Sequence, residues 1–218
     1  MVRRAQPGGG SSGLRLRHSD GSDAITSSSD PSNGYDALVE TFRAARSDAG
    51  ADVVAEWIKP LTPGTALLDL GAGTGDPILP VLLAAELDVF AVDASPGMVA
   101  ALTAKYPSVI AVCEAVEDSS FFDRRFEAVL AIGLIFLLPE QAQIDLIHQL
   151  ANVLAPKGQL LLSAPLQTGG WDDVLTGQRS WSLGEAAYHA HLEAAGFEAI
   201  QHLSDAGGSN YYAARRAG

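Results

Sequence analysis

The sequence predicts an α/β fold: a doubly wound, mostly parallel seven-stranded sheet with helices placed before it. Two observations carry this. Short, nearly continuous apolar runs alternate with helical stretches, and the first run opens directly into Gly71, Gly73 and Gly75 on alternate positions. A length of 218 residues fits one domain rather than several.

Along the chain, Leu38, Phe42, Val53, Val54, Trp57 and Ile58 are spaced for helical faces, with Gly50 separating two pieces and Pro60 ending them. The runs at 66–70, 88–92, 109–112, 128–132 and 159–164 read as strands, apolar on both faces as parallel strands covered on two sides must be. Helices are expected at 78–86, 96–105 and 139–154, the second opened by Ser95 as N-cap with Pro96 in its first turn. A helix over 183–195 stops at Gly196, and strands at 198–203 and 211–215 finish the chain. Residues 1–34 hold six Gly and eight Ser and cannot bury enough surface to offset the entropy of ordering. They read as a disordered tail ahead of one domain over 35–218.

Composition excludes several function classes. The formal charge is −12, and four arginines with no acid in residues 1–18 leave −16 on the rest, so nucleic acid is a poor partner. Cys113 is the single cysteine, and the five histidines have no ligand spacing, so no metal site is expected. The longest uncharged apolar stretch, residues 128–138, falls short of the roughly 20 residues a spanning helix needs. A cytoplasmic protein without a membrane segment is expected.

The sharpest local signal is LLDLGAGTGD at 67–76. Glycine is wanted where the backbone turns tightly and a ligand lies against it with no Cβ in the way. Asp93 closes the next strand at the interval where an acid accepts hydrogen bonds from ribose hydroxyls, so a nucleoside-bearing ligand is implied. Asp76 occupies the place of a third dinucleotide-binding glycine, and an acid there suits a cofactor with no phosphate.

LLDLGAGTGD, the Asp93 of AVDAS and LAPKGQLLLSAP at 154–165 resemble the glycine motif, ribose-binding acid and fifth-strand motif of the class I S-adenosylmethionine-dependent methyltransferases, over about residues 67–203. The resemblance implies a Rossmann-like methyltransferase fold with S-adenosylmethionine as cofactor. Gly71, Gly73 and Gly75 would then pass under its methionine part, Asp69 would help hold the ammonium group, and Asp93 would take the ribose hydroxyls beside Ala94 and Met98. Cys113 and Glu114 replace the Gly-Asp of the relatives' third-strand segment, so Glu114 and Ala115 would border the adenine. Ile132 and Gly133 would line the methyl-donor side. Arg46 either reaches the cofactor carboxylate or is a solvated helix arginine.

On the acceptor side, Phe136, Trp171 and Tyr211 are the candidates. Trp171 and Trp181 stand in a Gly-rich polar stretch after the fifth strand, where exposed tryptophans favour a pocket lid or a partner face. The expected activity is methyl transfer to a small molecule by in-line displacement, with catalytic residues and oligomeric state left open. The rivals are an NAD-dependent oxidoreductase, opposed by Asp76, and a cofactor-binding fold serving as a non-catalytic interaction module.

Overall fold

The computed structural model describes residues 30–218. Among the described residues nine strands form: β1 (Ala66–Leu70), β2 (Asp88–Asp93), β3 (Ile110–Cys113), β4 (Phe126–Ala131), β5 (Leu154–Ser163), β6 (Gly169–Asp172), β7 (Arg179–Ser182), β8 (Phe197–Ser204) and β9 (Asn210–Arg216). Six α-helices accompany them: α1 (Val39–Ala45), α2 (Ala51–Trp57), α3 (Ile78–Ala84), α4 (Pro96–Lys105), α5 (Glu140–Val153) and α6 (Glu185–Ala194).

Seven strands make one sheet in the order β3-β2-β1-β4-β5-β9-β8. β1 to β5 run parallel, and β9 runs against both its neighbours. The predicted doubly wound sheet is therefore observed, with its order reversing beside β1, which puts a crevice at the carboxyl ends of β1 and β4. Every residue of β1 is buried, because the sheet is covered on both faces. Leu68 and Leu70 pack with Leu146, Ile147 and Leu150 of α5, while Leu67 packs with Val54, Leu79 and Leu82 of α2 and α3.

Local chemistry explains the boundaries. Gly50 takes φ +83° and breaks α1 from α2, as its position predicted. Ser95 caps α4, its Oγ accepting from the Met98 amide at 3.0 Å, with Pro96 in the first turn. The stretch after β5 is more ordered than expected. β6 and β7 form an antiparallel hairpin that pairs Gly170 with Trp181 and Trp171 with Ser180, so the two tryptophans occupy opposite faces.

The expected tail lies outside the described residues up to position 29. From Asp30 the chain is a capped turn: Asp30 Oδ1 accepts from the Ser32 amide at 2.9 Å and Ser32 Oγ at 2.7 Å, and Oδ2 accepts from the Gly34 amide at 3.0 Å. Residues 30–34, which composition placed in the tail, are thus part of the ordered chain. Among the described residues no helix is long and apolar enough to cross a membrane.

Candidate active site

The carboxyl ends of β1, β2 and β4 open on a cavity of about 610 Å³, closed from above by residues 30–46 and by the loop between β6 and β7. The glycine loop forms its floor. The amides of Gly71 and Ala72 donate to the Val92 carbonyl at 2.8 and 3.3 Å, and Gly73 donates to Asp93 Oδ2 at 2.8 Å. The Ser95 amide donates to Asp93 Oδ1 at 2.9 Å. Asp93 is therefore immobilised by both its oxygens at the end of β2, each keeping acceptor capacity for a ligand. Burial raises its carboxyl above the usual range, against the pull of the Ser95 and Gly73 amides.

Of the residues expected around the cofactor, Arg46, Gly71, Gly73, Asp93, Ala94, Met98 and Ile132 line this cavity. Four do not. Gly75, at φ +89°, is required by packing, since a Cβ would lie 2.5 Å from Leu79 Cδ1 and 2.9 Å from Tyr106 Cε2. Asp69 lies behind the loop, only 3% exposed, with its carboxyl pushed up to about 8 by burial and the nearby Asp93 charge, partly offset by Arg46. The third-strand expectation is displaced by two residues. Glu114 spends its amide on the Asp93 carbonyl at 3.0 Å, and the cavity wall is made by Val116 and Glu117 in place of Glu114 and Ala115.

The acceptor candidates divide similarly. Phe136 lines the cavity, whereas Trp171 stands behind it, its ring 5.6 Å from that of Phe136. Trp181 lines the cavity instead, because hairpin pairing aims it the other way. Tyr211 is 1% exposed in the core and donates to Asp205 Oδ2 at 2.8 Å. It borders a second cavity of about 370 Å³ that shares Arg46, Ile132, Gly133 and Phe136 with the first. Asp76 faces neither cavity. Lys105 donates to it at 2.6 Å and the Tyr106 hydroxyl at 2.6 Å, so its charge is spent on α4 and the argument it offered against a phosphate loses force.

Several residues that line the cavity escaped sequence reasoning. Tyr35 sits on the tail boundary that composition drew, and Phe42 was read only as a helix-face residue, yet both line the cavity. Their rings meet edge-on at 5.7 Å, and the Arg46 guanidinium lies 4.9 Å over Phe42 while its Nε donates to the Asp76 carbonyl at 3.1 Å. Asp173, in an unremarkable polar run, accepts from the Tyr35 hydroxyl at 3.0 Å. None of the described histidines lines either cavity, and no cluster among the described residues could hold a metal ion.

The cavity suits a ligand that is part polar and part apolar. Asn33 Nδ2 is buried in its wall with no partner, and Gly133, at φ +75°, would meet nothing if a Cβ were added. An open glycine at the end of β4, an orphaned amide and a fixed carboxylate at the end of β2 together fit an adenosyl amino acid.

Residues 67–158 match a methyltransferase domain family. Proteins of Mycobacterium bovis and Mycobacterium tuberculosis described as uncharacterised methyltransferases are 32% identical over 132 residues, 60% of this chain and 51% of theirs. The chain spans about half the length of these curated relatives. Among solved structures, the CcbJ methyltransferase of Streptomyces caelestis superposes with a TM-score of 0.69 at 20% identity, covering 85% of this chain and 98% of that one. A didemethyltoxoflavin N1-methyltransferase of Burkholderia thailandensis gives 0.67 at 20% identity, over 86% and 87%. The matching stretch is less than half of the chain; it contains the glycine loop and the strand-end acid, and it makes residues 67–158 similar to a methyltransferase domain, on a sheet whose fold the solved structures share.

Proposed function

We propose that the protein binds S-adenosylmethionine and transfers its methyl group to a small-molecule acceptor. The observation that carries this reading is a half-open cavity lined both by the glycine loop and Asp93 and by Phe136 and Trp181. About 610 Å³ lies within the range of small-molecule sites, and the wall mixes apolar side chains with polar and charged ones such as Asp93, Arg46, Tyr35 and Asp173.

Asp93 accepts the ribose hydroxyls, held for that task by the Gly73 and Ser95 amides. Arg46, Asp69 and the loop glycines take the amino-acid end, Arg46 facing the carboxylate and Asp69 acting on the ammonium from behind the loop. Val116 and Met98 border the base. The sulfonium methyl of the bound cofactor is already an activated electrophile. The chain's contribution is alignment and the exclusion of water, supplied by Phe42, Leu134, Phe136 and Trp181.

Incubation with methyl-tritiated S-adenosylmethionine and a panel of small amines, phenols and carbon acids tests the reading. Label should pass to an acceptor with equal release of S-adenosylhomocysteine. Tight S-adenosylhomocysteine binding with no transfer to any class would favour the non-catalytic module.

A further inference from the structure

Tyr35 and Asp173 are 138 positions apart in sequence and meet at the cavity wall. The Asp173 carboxylate is fixed by one oxygen. Its Oδ1 accepts from the amides of Leu175 at 3.0 Å and Thr176 at 2.8 Å and from Thr176 Oγ1 at 3.1 Å. Oδ2 accepts from the Tyr35 hydroxyl. Burial would raise the Asp173 carboxyl, but these hydrogen bonds outweigh it and keep the group below its ordinary range. Burial and the Asp173 charge hold the proton on Tyr35. Its oxygen therefore donates to Asp173 and still offers lone pairs to a ligand.

The positive groups of the cavity are otherwise engaged. Arg179 pairs with Asp172 at 3.1 Å and stacks 4.8 Å over Trp181, and Arg46, which lies over Phe42 and donates its Nε to the Asp76 carbonyl, is the group read above as facing the cofactor carboxylate. The acids Asp30 and Glu117 also face the cavity, and the chain carries a formal −12. Cations are drawn to such a site.

We propose that Asp173 and Tyr35 select the acceptor, and that it is a compact aromatic or apolar amine whose cationic nitrogen is bound between Asp173 Oδ2 and the Tyr35 oxygen. Naming this amine an acceptor rests on the methyltransferase reading above; its binding does not.

The full chain, with and without saturating S-adenosylhomocysteine, is titrated calorimetrically with phenethylamine and tryptamine and with their anionic counterparts, phenylacetate and indole-3-acetate. The amines should bind and the carboxylates should not. Asp173→Asn, which keeps an oxygen for the Leu175 and Thr176 amides, should weaken amine binding at least tenfold and abolish the preference over carboxylates. Tyr35→Phe should weaken it about three- to tenfold. Both variants should hold S-adenosylhomocysteine within about threefold of the unaltered chain. No amine binding, equal binding of the carboxylates, or a preference that survives Asp173→Asn would overturn the proposal. Intact amine selectivity in a chain that does not bind S-adenosylhomocysteine would overturn the methyltransferase reading instead.

Discussion

Asp69 shows how a single residue can be readable in kind while its setting stays hidden. The resemblance of its strand-end motif marked it as part of the site, but adjacency in sequence does not reveal that it lies behind the loop and is 3% exposed. The consequence is measurable. Its carboxyl is held near 8 against 3.8 in the open chain, so the folded state keeps a proton that unfolding releases. Stability should therefore fall as pH rises through the window from about 4 to 8, and be flat with respect to this group outside it. Asp69→Asn removes the dependence. The variant should match the parent near pH 4 and exceed it by on the order of a few kcal/mol at pH 8, read from urea unfolding at the two pH values. Identical pH profiles would show that Asp69 is charged at little cost. A ligand ammonium would restore the charge, so S-adenosylhomocysteine binding at pH 7 should release close to one proton, visible as a calorimetric enthalpy that changes with the buffer's ionisation heat.

At the scale of elements, the central strands of the parallel sheet were legible because burial on both faces leaves a nearly continuous apolar run, as in β1. The hairpin was not. GGWD and RSWS are short, polar and half-exposed, and only their pairing decides that Trp181 enters the cavity while Trp171 braces Phe136. What seats the hairpin is equally hidden. Gln143 of α5, fully buried, donates to the carbonyls of Leu138 at 2.9 Å and Trp181 at 3.0 Å and accepts from the Tyr188 hydroxyl at 2.6 Å. Gln143→Leu removes the hydrogen-bond partner of the Leu138 and Trp181 carbonyls and one partner of the Tyr188 hydroxyl, and should cost roughly 2–4 kcal/mol in denaturant unfolding. A loss under about 0.5 kcal/mol would mean that water replaces the amide. The amino-terminal strap is fastened by Asp36, whose Oδ1 accepts from Ser95 Oγ at 2.7 Å and the Gly97 amide at 2.8 Å, at the start of the helix that follows Asp93. Deleting residues 1–29 should leave the melting temperature within a few degrees. Deleting through Leu38 should lower it and weaken S-adenosylhomocysteine at least tenfold, since Ser32 and Asn33 leave the cavity wall and the Asp36 ties to Ser95 and Gly97 are lost. Equal behaviour of the two truncations would show that the strap contributes nothing to the site.

Across the whole molecule, the class of fold follows from alternation of strand and helix, whereas the site is a product of topology. The reversal of strand order beside β1 gathers the ends of β1, β2 and β4, and the strap and hairpin close over them from opposite ends of the sequence. Local pattern finds the first set, since glycines and a strand-end acid carry their own signature. It cannot find Tyr35 with Asp173, which have no meaning apart from each other. The account's central claim is that Asp93 and the glycine loop hold an adenosyl amino acid. Calorimetric titration of the full chain and its Asp93→Ala variant with S-adenosylhomocysteine, and with NAD in parallel, tests it most directly. The account predicts one-to-one binding of S-adenosylhomocysteine, weakened by about 1.5–3 kcal/mol in the variant, with NAD bound far more weakly. Tighter binding of NAD, or S-adenosylhomocysteine affinity unchanged in a folded Asp93→Ala protein, would contradict it.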